Sequence, residues 1–345
     1  MIVLSLQIGE VLLAKNDDLF EFSWAMVKLS TIFVSGMKVF IIIHSKKAIE
    51  SLRNFIISDR VFSGDDSYDV IQEKKYKQTA RTALRVTYCI IIIDVVLLSI
   101  PYAGSESFLE LPSLFISFGK HFKQISRFFA VSLLSLGFLP RILSSIIYIG
   151  TLFMGMRAKY MILAHRYGLI LHRYSQNPDA DFEIMNSELQ DALTQELEFL
   201  SHFKILKSLV EKALFLTHCY SIWSIGALYY LSRSIEMSAL SVCIVVTTSV
   251  MLLEYHFWCH LADTLQEVAE SIGNTIYELC SRMQHRREYH AQYVNMRTSL
   301  MIIWINCCGG QLSMDCYGLF EISTSAFVNL LHTSYSVMMF MMSID

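Results

Sequence analysis

Long apolar runs, separated by polar stretches of very unequal length, constrain this chain more than any other feature. Residues 19–44, 83–103, 128–156, 209–231, 237–258 and 299–342 are each long enough to cross the hydrocarbon of a bilayer, which takes about 20 apolar residues in a helix. The last run is broken near Gly309 and Gly310. Residues 1–14, MIVLSLQIGEVLLA, form a partial run without the basic start and small-residue cleavage site of a signal peptide, and read as the inner end of a stunted or truncated span. With 54% hydrophobic residues, 17% charged residues and a mean hydropathy of +0.43, the chain lies outside the composition of soluble domains. The expected fold is all-α: one polytopic membrane domain over residues 1–345 with seven transmembrane helices and helical extensions at 157–208 and 259–298.

Basic residues set the orientation. The stretch 45–85 holds Lys46, Lys47, Arg53, Arg60, Lys74, Lys75, Lys77, Arg81 and Arg85, and 157–212 with 282–297 add eleven more; the opposite side has Lys15, Lys120, Lys123, Arg127 and Arg233. The positive-inside bias places the long loops and the N-terminus in the cytosol and the C-terminus outside, the reverse of a G-protein-coupled receptor. The long inner stretches keep helical periodicity. Leu189, Leu193, Leu197, Leu200, Phe203, Leu206 and Leu209 form one stripe, with Glu188, Asp191, Glu196 and Glu198 between them, and Leu265, Val268, Ile272 and Ile276 form another. Helices are therefore expected to run from cytosol into membrane and to bundle with neighbouring subunits as an oligomer.

Charges inside spans are costly and mark structure or function: Glu21, Lys28, Lys38, Asp94 and Arg141. Asp94, within IIIIDVVLL, requires a partner, and Lys38 is at a matching depth; a structural ion pair or a ligand contact both fit. Phe33, Met37, Tyr88, Asp94, Phe129, Tyr148 and Thr247 are the candidates for a small apolar pocket between helices, while Tyr102 and Tyr229 read as interfacial anchors. In the last run Ser325, Asn329, His332 and Ser336 fall on one helical face, which lines a water-filled path or bonds a neighbouring helix. His256, Cys259 and His260 also share a face, but without C-x-x-C spacing no metal site is expected, and the eight cysteines show no disulfide framework. No Ser/His/Asp pattern or glycine-rich phosphate loop points to an enzyme or a cofactor, and a net charge of -3 without a basic block gives no reason to expect nucleic acid.

Over its last 150 residues the chain resembles the insect odorant receptor family. The resemblance rests on His202 in LEFLSHFKILKSL, on Cys259, Glu270, Ser271 and Tyr277 in CHLADTLQEVAESIGNTIYE, and on Phe327, Tyr335 and Ser336 in AFVNLLHTSYSVMMFMM. Gustatory receptors, the alternative branch, end in Thr-Tyr, five apolar residues and Gln-Phe; here Ser334-Tyr335 is followed by five residues and then Met341-Met342. The obligate olfactory co-receptor keeps the Thr-Tyr form and has a longer loop after its fourth span, so the chain is similar to a tuning subunit. One departure is Lys159, where many members carry an acid after Ala158. The resemblance implies a tetrameric, non-selective cation channel formed with that co-receptor in the plasma membrane of olfactory dendrites. It also implies a small apolar volatile ligand held by helices two, three, four and six, and membrane lipid around them. The family's gate positions fall on Met338, Met341 and Met342, with Phe327, Leu330 and Ser334 beside them, which leaves the polar stripe opposite for helix contacts.

Overall fold

The computed structural model describes residues 19–58, 60–99, 140–176, 182–234, 239–283, 287–308 and 312–344. The partial run 1–14, Phe129, Gly309 and Gly310 lie outside them. The architecture is all-α apart from one small hairpin.

Helix α1 (Leu19–His44) coincides with the second apolar run. The chain turns at Ser45 into α2 (Lys46–Ile57), an amphipathic helix that buries Leu52, Phe55 and Ile56. Helix α3 (Asp66–Ser99) starts where the Asp65 carboxylate accepts the amides of Ser67 and Tyr68 at 3.1 and 3.2 Å, satisfying two donors of its first turn. A helical stretch from residue 140 passes through a π-turn at Ile146–Gly150 into α4 (Thr151–Gln176). Two long helices follow: α5 (Phe182–Ser234, 53 residues) and α6 (Ala239–Arg282, 44 residues). Each joins a polar extension to an apolar run without interruption, because no proline falls inside either.

The final apolar run is broken, as expected near Gly309 and Gly310, into α7 (His290–Cys308) and α8 (Thr324–Ile344). Between them β1 (Asp315–Cys316) pairs antiparallel with β2 (Phe320–Glu321), turning through Tyr317 and Gly318 at φ of 51° and 70°. Lys207 of α5 pins this hairpin through an ion pair with Asp315 and a 3.0 Å bond to the Ser313 carbonyl.

Helix α5 is the axis of the packing, with α1, α4, α6 and α8 against it. It crosses α8 at Gly226, where a Cβ would stand 2.8 Å from Val337 Cγ1 and 2.9 Å from the Ser334 carbonyl oxygen. Only a missing side chain allows the backbones so close. Outside the apolar runs α4, α5, α6 and α7 form a bundle. Its packing corrects one expectation from the α5 stripe: Leu197 is 64% exposed, and Glu196 beside it is fully buried. Among the described residues, the helical segments Phe22–His44 and Ile146–Tyr174 are long and apolar enough to cross a membrane.

Candidate functional site

Within the apolar runs the helices trap a set of polar groups. Lys38 of α1 is completely buried and donates to Glu254 Oε1 of α6 at 2.7 Å and to the Ile142 carbonyl at 3.0 Å. Ser145 donates to the same Glu254 oxygen at 3.1 Å. Glu254, an acid inside TTSVMLLEYHFW, holds the lysine; the side chain of Asp94, a possible Lys38 partner by depth, lies outside the described residues. Two helical turns back along α1, Thr31 shares a 2.8 Å hydrogen bond with Tyr220 of α5, and His218 of α5 meets the Tyr255 hydroxyl of α6 at 2.9 Å. The charged pair ties α1 to α6, and its dry surroundings strengthen it. The hydroxyls around it are neutral groups that can orient a small ligand without demanding a countercharge.

The aromatic pocket candidates do not converge. Phe33, Tyr88 and Tyr148 are 56%, 57% and 52% exposed and face away from the core of the chain, while Met37 and Thr247 are half-buried. Their outward aim corrects the inward pocket expected for those three aromatics. A large apolar ring on the outside of a membrane helix loses nothing to lipid, so aromatic identity alone does not select the inner face. Tyr229 is likewise exposed.

Helix α8 presents a buried seam of Leu330, Ser334 and Met341, with Val337 beside it, to α5. Ser334 and Met341, expected at the pore wall, are buried within the chain, and the Ser334 carbonyl and Val337 pack at the Gly226 crossing. Met338 and Met342 are half-buried at the margin of this seam, and Tyr335 is exposed. The polar stripe of Ser325, Asn329, His332 and Ser336, expected to make helix contacts, is exposed, and Ser336 bonds back to the His332 carbonyl at 3.0 Å.

The remaining motif residues divide into two groups. His202 stacks on Phe55 of α2 with ring centroids 4.1 Å apart and its Nδ1 2.9 Å from the Glu198 carbonyl, joining α2 to α5. Cys259 is buried, and Phe327 lies against His256 at 5.2 Å between centroids. On the same face of α6, Asp263 accepts the Thr324 amide at 3.1 Å and so caps α8. By contrast Glu270, Ser271, Tyr277, Tyr335 and Ser336 are exposed on this single chain. Lys159, the departure from the family pattern, is buried, with its Nζ 2.8 Å from the Ser58 carbonyl and 4.0 Å from Glu73. Among the described residues no three His, Cys, Asp or Glu side chains gather as a metal site.

In the bundle, Glu196 accepts from the Tyr167 hydroxyl at 2.6 Å and faces Cys307 Sγ at 3.8 Å. Burial pushes its carboxyl up from 4.5 to about 7, only partly opposed by these hydrogen bonds. A carboxyl that holds its proton more tightly when folded adds stability in full below its unfolded value, and the contribution is lost as pH rises through the folded value. The thermal midpoint of the full chain in detergent is therefore expected to fall between about pH 4.5 and 7 on this account. Glu196→Gln should flatten that window in a fluorescence-detected size-exclusion melt. An unchanged slope would mean that Glu196 is ionised and hydrated.

No protein-family model matches the chain, and no curated protein does. Among solved structures, the chain is similar to the insect olfactory receptor OR5 from Machilis hrabei, with a TM-score of 0.77 at 13% identity over 100% of this chain and 86% of that one. It is similar also to the same receptor in complex with eugenol, with a TM-score of 0.79 at 13% identity and the same coverage. The whole chain thus shares the all-helical fold of that olfactory receptor.

Proposed function

We propose that this chain is the odorant-binding subunit of a ligand-gated, non-selective cation channel, a receptor and not an enzyme. It works with the olfactory co-receptor, as a tetramer in the plasma membrane, N-terminus in the cytosol and C-terminus outside. The likeness of fold over the whole chain to a receptor solved with eugenol carries this reading. The exposed motif residues support the assembly: Tyr277, Tyr335 and the Ser325–Asn329–His332–Ser336 stripe have large or polar side chains exposed on one chain, as a face awaiting other helices and subunits would. Met338 and Met342, at the margin of the α8 seam, are the apolar gate, closing a narrow pore by excluding water.

The ligand is a small, largely apolar volatile held among helices two, three, four and six, that is α1, α3, α4 and α6, near Met37 and Thr247. Glu254 already holds Lys38, so that buried cation does not offer its charge to a carboxylate. In oocytes, a panel of volatiles should evoke cation current when the chain is expressed with an insect olfactory co-receptor, and none from the chain alone. Current from the chain alone in response to nonvolatile tastants would move it to the gustatory branch.

A further inference from the structure

We propose that the groove between the start of α2 and the face of α5 binds the phosphorylated headgroup of an anionic membrane lipid. A cavity of about 350 Å³ opens there, lined by Ser45 and Ala48 on one side and by Lys204, Ser208 and Lys212, with Ile205 and Leu209, on the other. Lys204, Ser208 and Lys212 are successive i, i+4 positions, so one face of α5 aims two cations and a hydroxyl into one space. Opposite them is the first turn of α2. The Ile49 amide closes that turn on the Ser45 carbonyl at 3.0 Å, leaving the amides of residues 46–48 without partners inside α2. Such a helix end favours anions.

Two further observations point to a ligand. Ser45 is nine-tenths buried and lines the cavity, yet its hydroxyl does not cap α2. The lysines are also unequal. Lys207 is held by Asp315 and Ser313, and Lys46 approaches Glu50, whereas Lys204 and Lys212 make no salt bridge among the described residues. Glu211 acts electrostatically on Lys212 but lines no part of the groove.

The position selects a lipid. Ser45 directly follows the apolar helix α1, and Lys212 lies in the first turn of the 209–231 run, so both edges of the groove sit where hydrocarbon gives way to headgroups. Ile205 and Leu209 give the groove an apolar floor between the two lysines, beside the start of the 209–231 run. The assignment to the inner leaflet rests on the proposed orientation. The chemistry, two lysines and a helix N-terminus on a phosphate ester, is that of basic pockets for anionic headgroups between membrane helices.

The test uses the full chain in phosphatidylcholine vesicles containing a photoreactive phosphatidylinositol bisphosphate. Crosslinks are expected on peptides spanning 45–48 and 204–212 of the unaltered chain. Lys204→Gln with Lys212→Gln should cut labelling about tenfold or more, since each lysine near an anionic surface contributes roughly a factor of five. Lys204→Arg with Lys212→Arg should retain it. Labelling elsewhere on the chain, or undiminished labelling of the glutamine variant, overturns the site. If soluble inositol trisphosphate displaces the probe as well as the lipid does at equal concentration, the groove takes a free phosphate and the lipid assignment fails. None of these readouts needs an odorant or a current, so they are independent of the channel proposal.

Discussion

Glu254→Ala should leave little folded chain. Lys38 and Glu254 are 0% and 4% exposed, so removing the carboxylate strands an ammonium in an apolar interior and also takes the acceptor from Ser145. Breaking a buried pair from one side costs about 3–5 kcal/mol. Against a net stability of about 5–15 kcal/mol, that is enough to remove most of the monodisperse peak in size exclusion and to lower the thermal midpoint steeply. Lys38→Met alone should behave similarly, through the stranded carboxylate. Lys38→Met combined with Glu254→Leu should recover much of the loss, because neither charge then has to be desolvated. That non-additivity separates an ion pair from two independent packing defects. A Glu254→Ala chain as stable as the parent would mean that water reaches the pair.

The second large effect is expected at Gly226. In Gly226→Ala the new methyl would stand 2.8 Å from Val337 Cγ1 and 2.9 Å from the Ser334 carbonyl oxygen. The valine Cγ1 can turn away, but the Val337 Cβ, also 2.9 Å off, and the Ser334 carbonyl are fixed to the backbone of α8, so α5 and α8 must part. Overpacking of this kind costs about 1–3 kcal/mol. Because α8 is the proposed pore helix, the same displacement should change the odorant concentration for half-maximal current, beyond any loss of surface protein. Val337→Ala in the Gly226→Ala background should restore only part of the stability, since it relieves one contact and leaves the other. Full restoration would show that the backbones are not in close approach at this point.

The sequence made some of this legible and concealed the rest for physical reasons. Helix α1 ends at His44, where the second apolar run was read to end, because the composition of that run changes there from apolar to basic. Of the stripe Leu265, Val268, Ile272 and Ile276 on α6, which needed partners within the chain or from other subunits, Leu265, Ile272 and Ile276 are buried within the chain and Val268 is half-buried. The neighbouring rule failed at Glu196 and Leu197. Periodicity assumes that acids point outward, and it cannot anticipate a Tyr167 hydroxyl positioned to satisfy one inside. Glu254 went unread for a related reason: matching depth made Asp94 a candidate partner for Lys38, but depth does not say which helix is adjacent, and α6 brought Glu254. The aromatics Phe33, Tyr88 and Tyr148 misled because lipid and protein interior are equally apolar, so residue type cannot tell one side of a membrane helix from the other. At α8 the seam depended on Gly226, a residue far away in the chain whose significance appears only when two helices cross.

Helix α5 holds Glu196 near one end, Lys204 to Lys212 farther along, then Tyr220, and Gly226 near the other end, on 53 residues without a proline. At 1.5 Å per residue it is a rod roughly 80 Å long, with no built-in joint where bending could be absorbed. Such a beam is a lever. A tilt of about 3° imposed at one end moves the other by roughly 4 Å, comparable with the rise of a helical turn. Loads applied at different heights, by lipid, ligand or neighbouring subunit, therefore reach the crossing with α8 as leverage on one arm, and the height at which each acts sets its mechanical advantage over the pore.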